Sequence, residues 1–256
     1  MSQGRLFPLR AFRAMVARLG FPLVLLVATP CLDRGQQRPS VSELLHQFET
    51  TTVFWRQFEI AKALVAANDA TILPTLQPWL THEDRHLRGN AAFVFAGLGN
   101  SAGFDVIVAI LSDRSKRPVG QGIATIAGSP EALAQLQIAA DRYYAAHLLG
   151  DLKDPHAVSI LAPLLTDREV DYIVPWSLAQ IGDRSAVQSL IWTMSDRNPS
   201  MRVLAIHALE NLKATEALPR LRQLLGDNER CNFDRLESLA EAAQAAIAKL
   251  QSETAR

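Results

Sequence analysis

Apolar positions recur along this chain in two alternating patterns. The first is a run of small and apolar residues closing on Gly-Asp or a similar pair, clearest in AAHLLGDLKD from Ala145 to Asp154. Further copies are IAKALVAAND (60–69), AAFVFAGLGN (91–100), VPWSLAQIGD (174–183) and AIHALENLKA (205–214). Apolar residues three and four apart form one stripe of a helix. Small residues at the head of each copy let a second helix approach closely. A closing Gly suits a left-handed helix end, and the Asp or Asn after it can cap the next helix. The second pattern follows the first: ATILPTLQPWL (70–80), HAVSILAPLL (156–165), SAVQSLIWTM (185–194) and EALPRLRQLL (216–225). Pro74 and Pro219 share a column early in this second stretch, where a first-turn proline sacrifices no helical hydrogen bond. Acidic turns at Asp113, Asp167, Asp196 and Asp227 mark the ends.

The second residue of each first pattern gives the anchors Ala61, Ala92, Ala146, Pro175 and Ile206, with gaps of 31, 54, 29 and 31. Two helices per about 30 residues, repeated, predict an all-α fold: an α-solenoid, or superhelix, of stacked antiparallel helix pairs. Residues 41–50 fit an N-terminal capping helix and 234–250 (DRLESLAEAAQAAIAKL) a closing one, so the solenoid is expected to run over 41–252. Apolar residues make up 48% of the chain and aromatic ones only 7%, a Leu- and Ala-rich mixture that favours helix.

These repeats resemble the short HEAT-like repeats also found in phycobilisome lyases, with their Arg, paired Ala, Ala-Leu-Gly and Ile-Gly-Asp. The resemblance covers about residues 52–228, and Arg88, Arg142 and Arg202 match its arginine column. It implies a helical-repeat fold and, more weakly, a chromophore-handling role. Asp196 and Arg202 are expected to bond across a turn, in a structural role.

The long gap marks a break. Residues 114–130 (RSKRPVGQGIATIAGSP) carry Gly120, Gly122, Gly128, Pro118 and Pro130, and read as a long loop or a decayed repeat. The stretch lacks the lysine of a phosphate loop and follows no expected strand. Residues 131–140 then recover a helix.

Charge alters the picture at the N-terminus. Residues 1–34 hold Arg5, Arg10, Arg13, Arg18 and Arg34 against Asp33 alone. Subtracting them from 26 basic and 26 acidic residues leaves 21 and 25, a net charge of −4. A mildly acidic body suits a phosphate backbone poorly, so no nucleic acid is expected as a partner. The four leading arginines precede a 14-residue apolar run, Leu19 to Leu32. That is too short to span a membrane and fits a secretory signal over 1–32. Cys31 stands where a lipoprotein signal places its acylated cysteine, although Pro30 departs from the usual small residue. The expectation is an exported bacterial-type protein, periplasmic or tethered to a membrane through Cys31, with 33–40 as a polar linker. Cys231, in the turn DNERCNFDR, fits an incidental surface thiol.

Candidate binding residues come from the variable third repeat position and the residue one turn earlier. Tyr143 with His147, and Tyr172 with Trp176, share helix faces, and His207 continues the column. They are expected to form an aromatic and histidine surface for a protein partner, against the plainer alternative that they fill gaps between repeats. His147 and His207 lie two repeats apart, too far for one metal ion. Pro175 either bends a helix to present Trp176 or marks a late helix start. His82-Glu83 is one copy of a pair that iron-binding deoxyhypusine hydroxylase repeats several times, so the ligand count fails here. No Ser/His/Asp or Cys/His constellation stands out, and no cofactor is implied. A non-catalytic protein-interaction scaffold is the leading expectation. A phycobilin-lyase-like protein and a nucleic-acid-binding solenoid are the alternatives.

Overall fold

The computed structural model describes residues 39–117, 129–231 and 237–254. Every named element among them is helical. The expected signal and Cys31, the linker up to residue 38, residues 118–128 of the break and the start of the expected closing helix lie outside the described residues. No helix among the described residues is long and apolar enough to cross a membrane. The fold class is all-α, an α-solenoid of helix pairs, as the repeat predicts. Its residues fall into two compact units, 39–148 and 149–254.

In the first unit, α1 (Val41–Thr50) begins at Ser40. The Ser40 hydroxyl accepts from the Glu43 amide and the Glu43 carboxylate accepts from the Ser40 amide, a reciprocal cap. α2 (Phe54–Ala67) follows, then the four-residue α3 (Leu73–Leu76) between 3-10 turns at Ala70–Ile72 and Gln77–Thr81. α4 (Arg85–Gly97) and α5 (Ser101–Ser112) pack closely against each other. A Cβ on Gly103 would sit 2.2 Å from the Ala92 carbonyl oxygen, so only glycine lets these two backbones approach. α6 (Pro130–Leu152) contributes its residues up to Leu148. The sequence suggested two helices here. They form one of 23 residues, because from Glu131 to Leu149 no Gly or Pro interrupts a run rich in Ala, Leu and Gln.

In the second unit, α7 (Ala157–Leu161) continues into a 3-10 turn at Ala162–Thr166. α8 (Val174–Ile181), α9 (Val187–Thr193), α10 (Pro199–Asn211), α11 (Leu218–Gln223) and α12 (Leu239–Thr254) complete it. α10 packs on α8, α9 and α12, and α12 also packs on α11. Pro175 occupies the first turn of α8, so the late start is the correct reading and no bend presents Trp176. Pro74 and Pro219 likewise sit in first turns. The closing helix starts at Leu239, later than its apolar pattern suggested, with Ser238 and Glu241 forming a reciprocal cap.

The backbone repeats as the side chains do. Among the described residues, positive φ occurs at Asn68, Gly99, Lys153, Gly182 and Lys213, with values of 55°, 84°, 56°, 78° and 53°. Each lies seven residues after an anchor, so their spacings are again 31, 54, 29 and 31. The helix-entry turns repeat too. Arg88 donates to the His82 carbonyl at 2.7 Å while Asp84 caps α4. Arg202 donates to the Asp196 carbonyl at 2.8 Å while Asn198 caps α10. The expected Asp196–Arg202 bond therefore uses the backbone of Asp196, and its carboxylate accepts from Arg168 instead.

Cys231 corrects the expectation of a surface thiol: it is 2% exposed. Its amide donates to the Glu237 carbonyl, and the amides of Leu239 and Ala240 donate back to Glu229 and Asp227. These bonds join residues 227–231 to the start of α12.

Candidate functional site

The expected aromatic surface is not an open one. Tyr143 is 6% exposed, and burial pushes its phenol above the usual range. It is a core residue, not a surface anchor. The cause is the environment of the repeat's first helix, where consecutive residues are buried on all sides: Ala91–Phe95 in α4, Ala140–Ala146 in α6 and Val203–Ile206 in α10. Tyr143 lies within such a buried run, whereas the third-position residues Lys62, His147, Trp176 and His207 keep some exposure. His147 is half-buried, its ring stacked at 6.2 Å on Tyr144 and edge-on to Phe58 at 5.8 Å. Burial, reinforced by nearby Lys62, lowers its pKa to about 4. In the second unit the Tyr172 hydroxyl accepts from Asn198 at 2.8 Å. His207 Nε2 lies 3.0 Å from Glu237, and the Trp176 ring is half-buried.

The first unit holds a polar centre that the repeat pattern did not point to. Asp141, on α6, is fully buried. Its Oδ1 accepts from Arg117 Nη2 at 2.5 Å and from Gln137 Nε2 at 2.7 Å. Its Oδ2 accepts from Arg117 Nε at 2.8 Å and Arg85 Nη1 at 3.1 Å. Arg85 stands at the start of α4 and turns its other Nη to Asp113 and Ser115. His86 Nε2 approaches Asp141 at 3.4 Å. Burial pushes the His86 imidazole down against the pull of Asp141 and Asp84. For Arg117, burial is outweighed by the bonds from Asp141, and its pKa rises. Asp84 is also partly buried, yet His86, Arg117 and two backbone amides hold its carboxyl below the usual range. A buried carboxylate with four donors and two guanidinium partners is chemically quiet: each charge is compensated in place.

Beside this centre runs a second buried chain of hydrogen bonds. Gln57 donates to the Phe48 carbonyl at 3.0 Å, and Asn90 donates to Gln57 Oε1 at 3.0 Å and to the Phe54 carbonyl at 2.8 Å. The Tyr144 hydroxyl donates to Asn90 Oδ1. The rings of Phe54, His86 and Tyr144 meet at 4.4–5.1 Å. The available signal was a polar residue inside an apolar stripe: Gln57, Asn90 and the i,i+4 pair Gln137–Asp141.

The second unit has an open cleft of about 320 Å3, lined by Ser195, Arg202, Arg220, Leu224, Asp227 and Glu229. Arg202 pairs with Glu229 and, at 3.6 Å, with Asp227. Arg220 donates to Gln223, Ser195 and the Met194 carbonyl. Among the described residues no group of His, Cys, Asp and Glu could hold a metal ion.

Residues 166–244 match the family model described as HEAT repeats. The Bilin biosynthesis protein PecE of Mastigocladus laminosus is 34% identical over 87 residues, 33% of this chain and 32% of that protein. The chain thus spans about a third of the length of this curated relative. Among solved structures, an engineered protein aligns with a TM-score of 0.40 and 20% identity over 84% of this chain and 98% of its own. Human deoxyhypusine hydroxylase in complex with glycerol aligns with a TM-score of 0.37 and 17% identity over 94% of this chain and 90% of its own. The chain is a HEAT-like repeat protein.

Proposed function

We propose that this chain is a non-catalytic scaffold that docks another protein, exported from the cytoplasm with Cys31 as its candidate lipid anchor. One observation carries the scaffold reading: the buried ionisable groups of the first unit are spent on one another. Asp141, Arg85 and Arg117 form a closed set in which each charge is met by another. Catalysis needs a group whose pKa and access are matched to a reacting substrate. Stacked repeats instead offer extended surface, the usual basis of recognition in this architecture. Crosslinking in cells followed by purification of the full chain should recover one partner reproducibly. Recovery of no specific partner overturns the reading. Export is tested separately by the intact mass of the mature protein. A diacylated Cys31 is the expected result, and an unprocessed Met1 removes the export proposal.

Similarity to a bilin biosynthesis protein favours a second reading, in which the chain handles a bilin. Mixing the purified protein with a free bilin tests it directly. A stoichiometric shift of the pigment's visible absorption band would displace the scaffold reading.

A further inference from the structure

We propose that the cleft lined by Ser195, Arg202 and Arg220 docks a partner segment presenting a single carboxylate beside an apolar side chain. The proposal rests on the scaffold reading and names the chemistry of what is docked. Its first support is the unequal treatment of two arginines in one cleft. Arg202, with 11% of its side chain exposed, has Asp227 and Glu229 as counter-ions. Arg220 has none: its bonds go to the Gln223 side-chain carbonyl at 2.8 Å, the Ser195 hydroxyl at 3.0 Å and the Met194 carbonyl at 3.4 Å. Among the described residues no carboxylate comes within 4.0 Å of it. The Nε–H groups of both arginines are also buried without an acceptor. A guanidinium bonded only to neutral dipoles can still gain a charge-assisted bond, which is about twice as strong as a neutral one.

The second support is apolar. Among the described residues the exposed large hydrophobics are Trp192, 73% exposed, and Leu225, 47% exposed. Both neighbour lining residues along the chain. The Ser195 amide donates to the Trp192 carbonyl at 2.9 Å, one turn along, and Leu225 follows the lining residue Leu224. An exposed Leu alone means little, but a largely uncovered Trp three residues before Ser195, which Arg220 itself bonds, adds a second residue type that often anchors interfaces. The acids also restrict the occupant. Asp227 and Glu229 repel a dianion more than a monoanion, so the cleft suits one carboxylate better than a phosphate monoester.

The test uses the full chain and three short fluorescein-labelled, C-terminally amidated peptides that share a Leu-X-Phe core with X as Glu, Gln or Lys. Fluorescence polarisation should give an order of Glu, Gln, Lys, with about tenfold between the first two. Arg220→Gln should erase the Glu-over-Gln preference, Arg220→Lys should keep part of it, and Trp192→Ala should weaken the Glu and Gln peptides alike. Thermal melts confirm that each variant is folded. If Arg220→Gln fails to fold, the Arg220→Lys and Trp192→Ala results decide. Equal binding of the Glu and Gln peptides, no binding at millimolar concentration, or indifference to Arg220→Gln overturns the proposal. Self-association of the chain that Arg220→Gln disperses in sedimentation also overturns it, because the occupant is then a second copy. A crosslinked partner recovered equally by wild type and Arg220→Gln removes the cleft and leaves the scaffold. Absence of any partner removes the scaffold itself.

Discussion

The two units solve the same packing problem with different chemistry. In residues 39–148 the core holds charged and amide side chains: Gln57, Arg85, His86, Asn90, Gln137, Asp141 and Arg142 are all buried. In residues 149–254 the core is mostly Ala, Leu, Val, Ile and Met, its buried hydroxyls are those of Ser177, Thr193, Ser200 and Ser238, and Asp171 is its one buried charge among the described residues. Several of its ion pairs lie at the edge, between Arg168 and Asp196, Arg184 and Glu216, and Lys249 and Glu210. An apolar core asks only for volume and period and tolerates many sequences. A buried ionic core asks for complete pairing. The HEAT-repeat model matches within the second unit, where the repeat is carried by pattern alone.

Breaking this contrast should give its largest effect at Asp141. Asp141→Ala strips the shared counter-ion from Arg85 and Arg117 inside a closed core. The expected loss is about 3–5 kcal/mol, confined to the first unit. Hydrogen exchange should show protection falling in α4 and α6 and holding in α8 to α12. A uniform loss across both units would mean that they do not differ in this way.

Acid should also act on the first unit. The folded pKa of His147 is lowered to about 4, from an unperturbed value near 6.5. The unfolded chain therefore binds this proton more tightly. The contribution is fully present above about pH 6.5 and is lost as pH falls towards 4, amounting to about 3 kcal/mol at most. His86, lowered by burial, acts with the same sign. His147→Gln should flatten part of the decline in denaturation midpoint between pH 6.5 and 4, and an unchanged slope would show that the ring is not held neutral.

Gly103→Ala asks whether backbone contact matters as much as the polar core. The added methyl meets the Ala92 carbonyl and the Ala96 amide nitrogen, at 2.2 and 2.4 Å, so α4 and α5 must separate. A loss of about 2 kcal/mol is expected in a chemical melt, since overpacking typically costs 1–3.

How much of this was legible follows from what each feature asks of the chain. Helix pairs, their spacing and the left-handed ends were readable because Ala61, Ala92, Ala146, Pro175 and Ile206 each lie seven residues before a left-handed residue. The polar core was not, because Asp141 meets Arg85 and Arg117 across 56 and 24 residues of sequence, and no local period encodes that pairing. Tyr143 was misplaced for a related reason. Helix periodicity fixes which residues share a face, but it does not show that Ala140–Ala146 of α6 are all buried. Trp192 was passed over because it closes the apolar run Leu190-Ile191-Trp192 within SAVQSLIWTM.

A smaller effect should separate the repeat ends from the repeat cores. Lys153 and Lys213 hold φ of 56° and 53°, where L residues pay a penalty that glycine does not. Lys213→Gly should stabilise the second unit by about 0.5–1 kcal/mol, since Gly182 already fills the same role one repeat earlier. A destabilised melt would show that the lysine side chain contributes more than its backbone costs.

The least effect is expected at the second unit's most regular ion pair. Arg184 reaches both oxygens of Glu216, at 2.5 and 2.6 Å, with geometry as good as that around Asp141. Both side chains are more than half exposed, at 53% and 54%, so water and salt screen the pair and hold most of its value in reserve. A double-mutant cycle with Arg184→Ala and Glu216→Ala should yield a coupling of about 0.5 kcal/mol or less, shrinking further in high salt. Two ion pairs with similar distances would then differ several-fold in worth because one is buried and the other is not. A coupling above about 2 kcal/mol would mean that geometry, and not burial, decides, and the contrast between the two units would lose its physical basis.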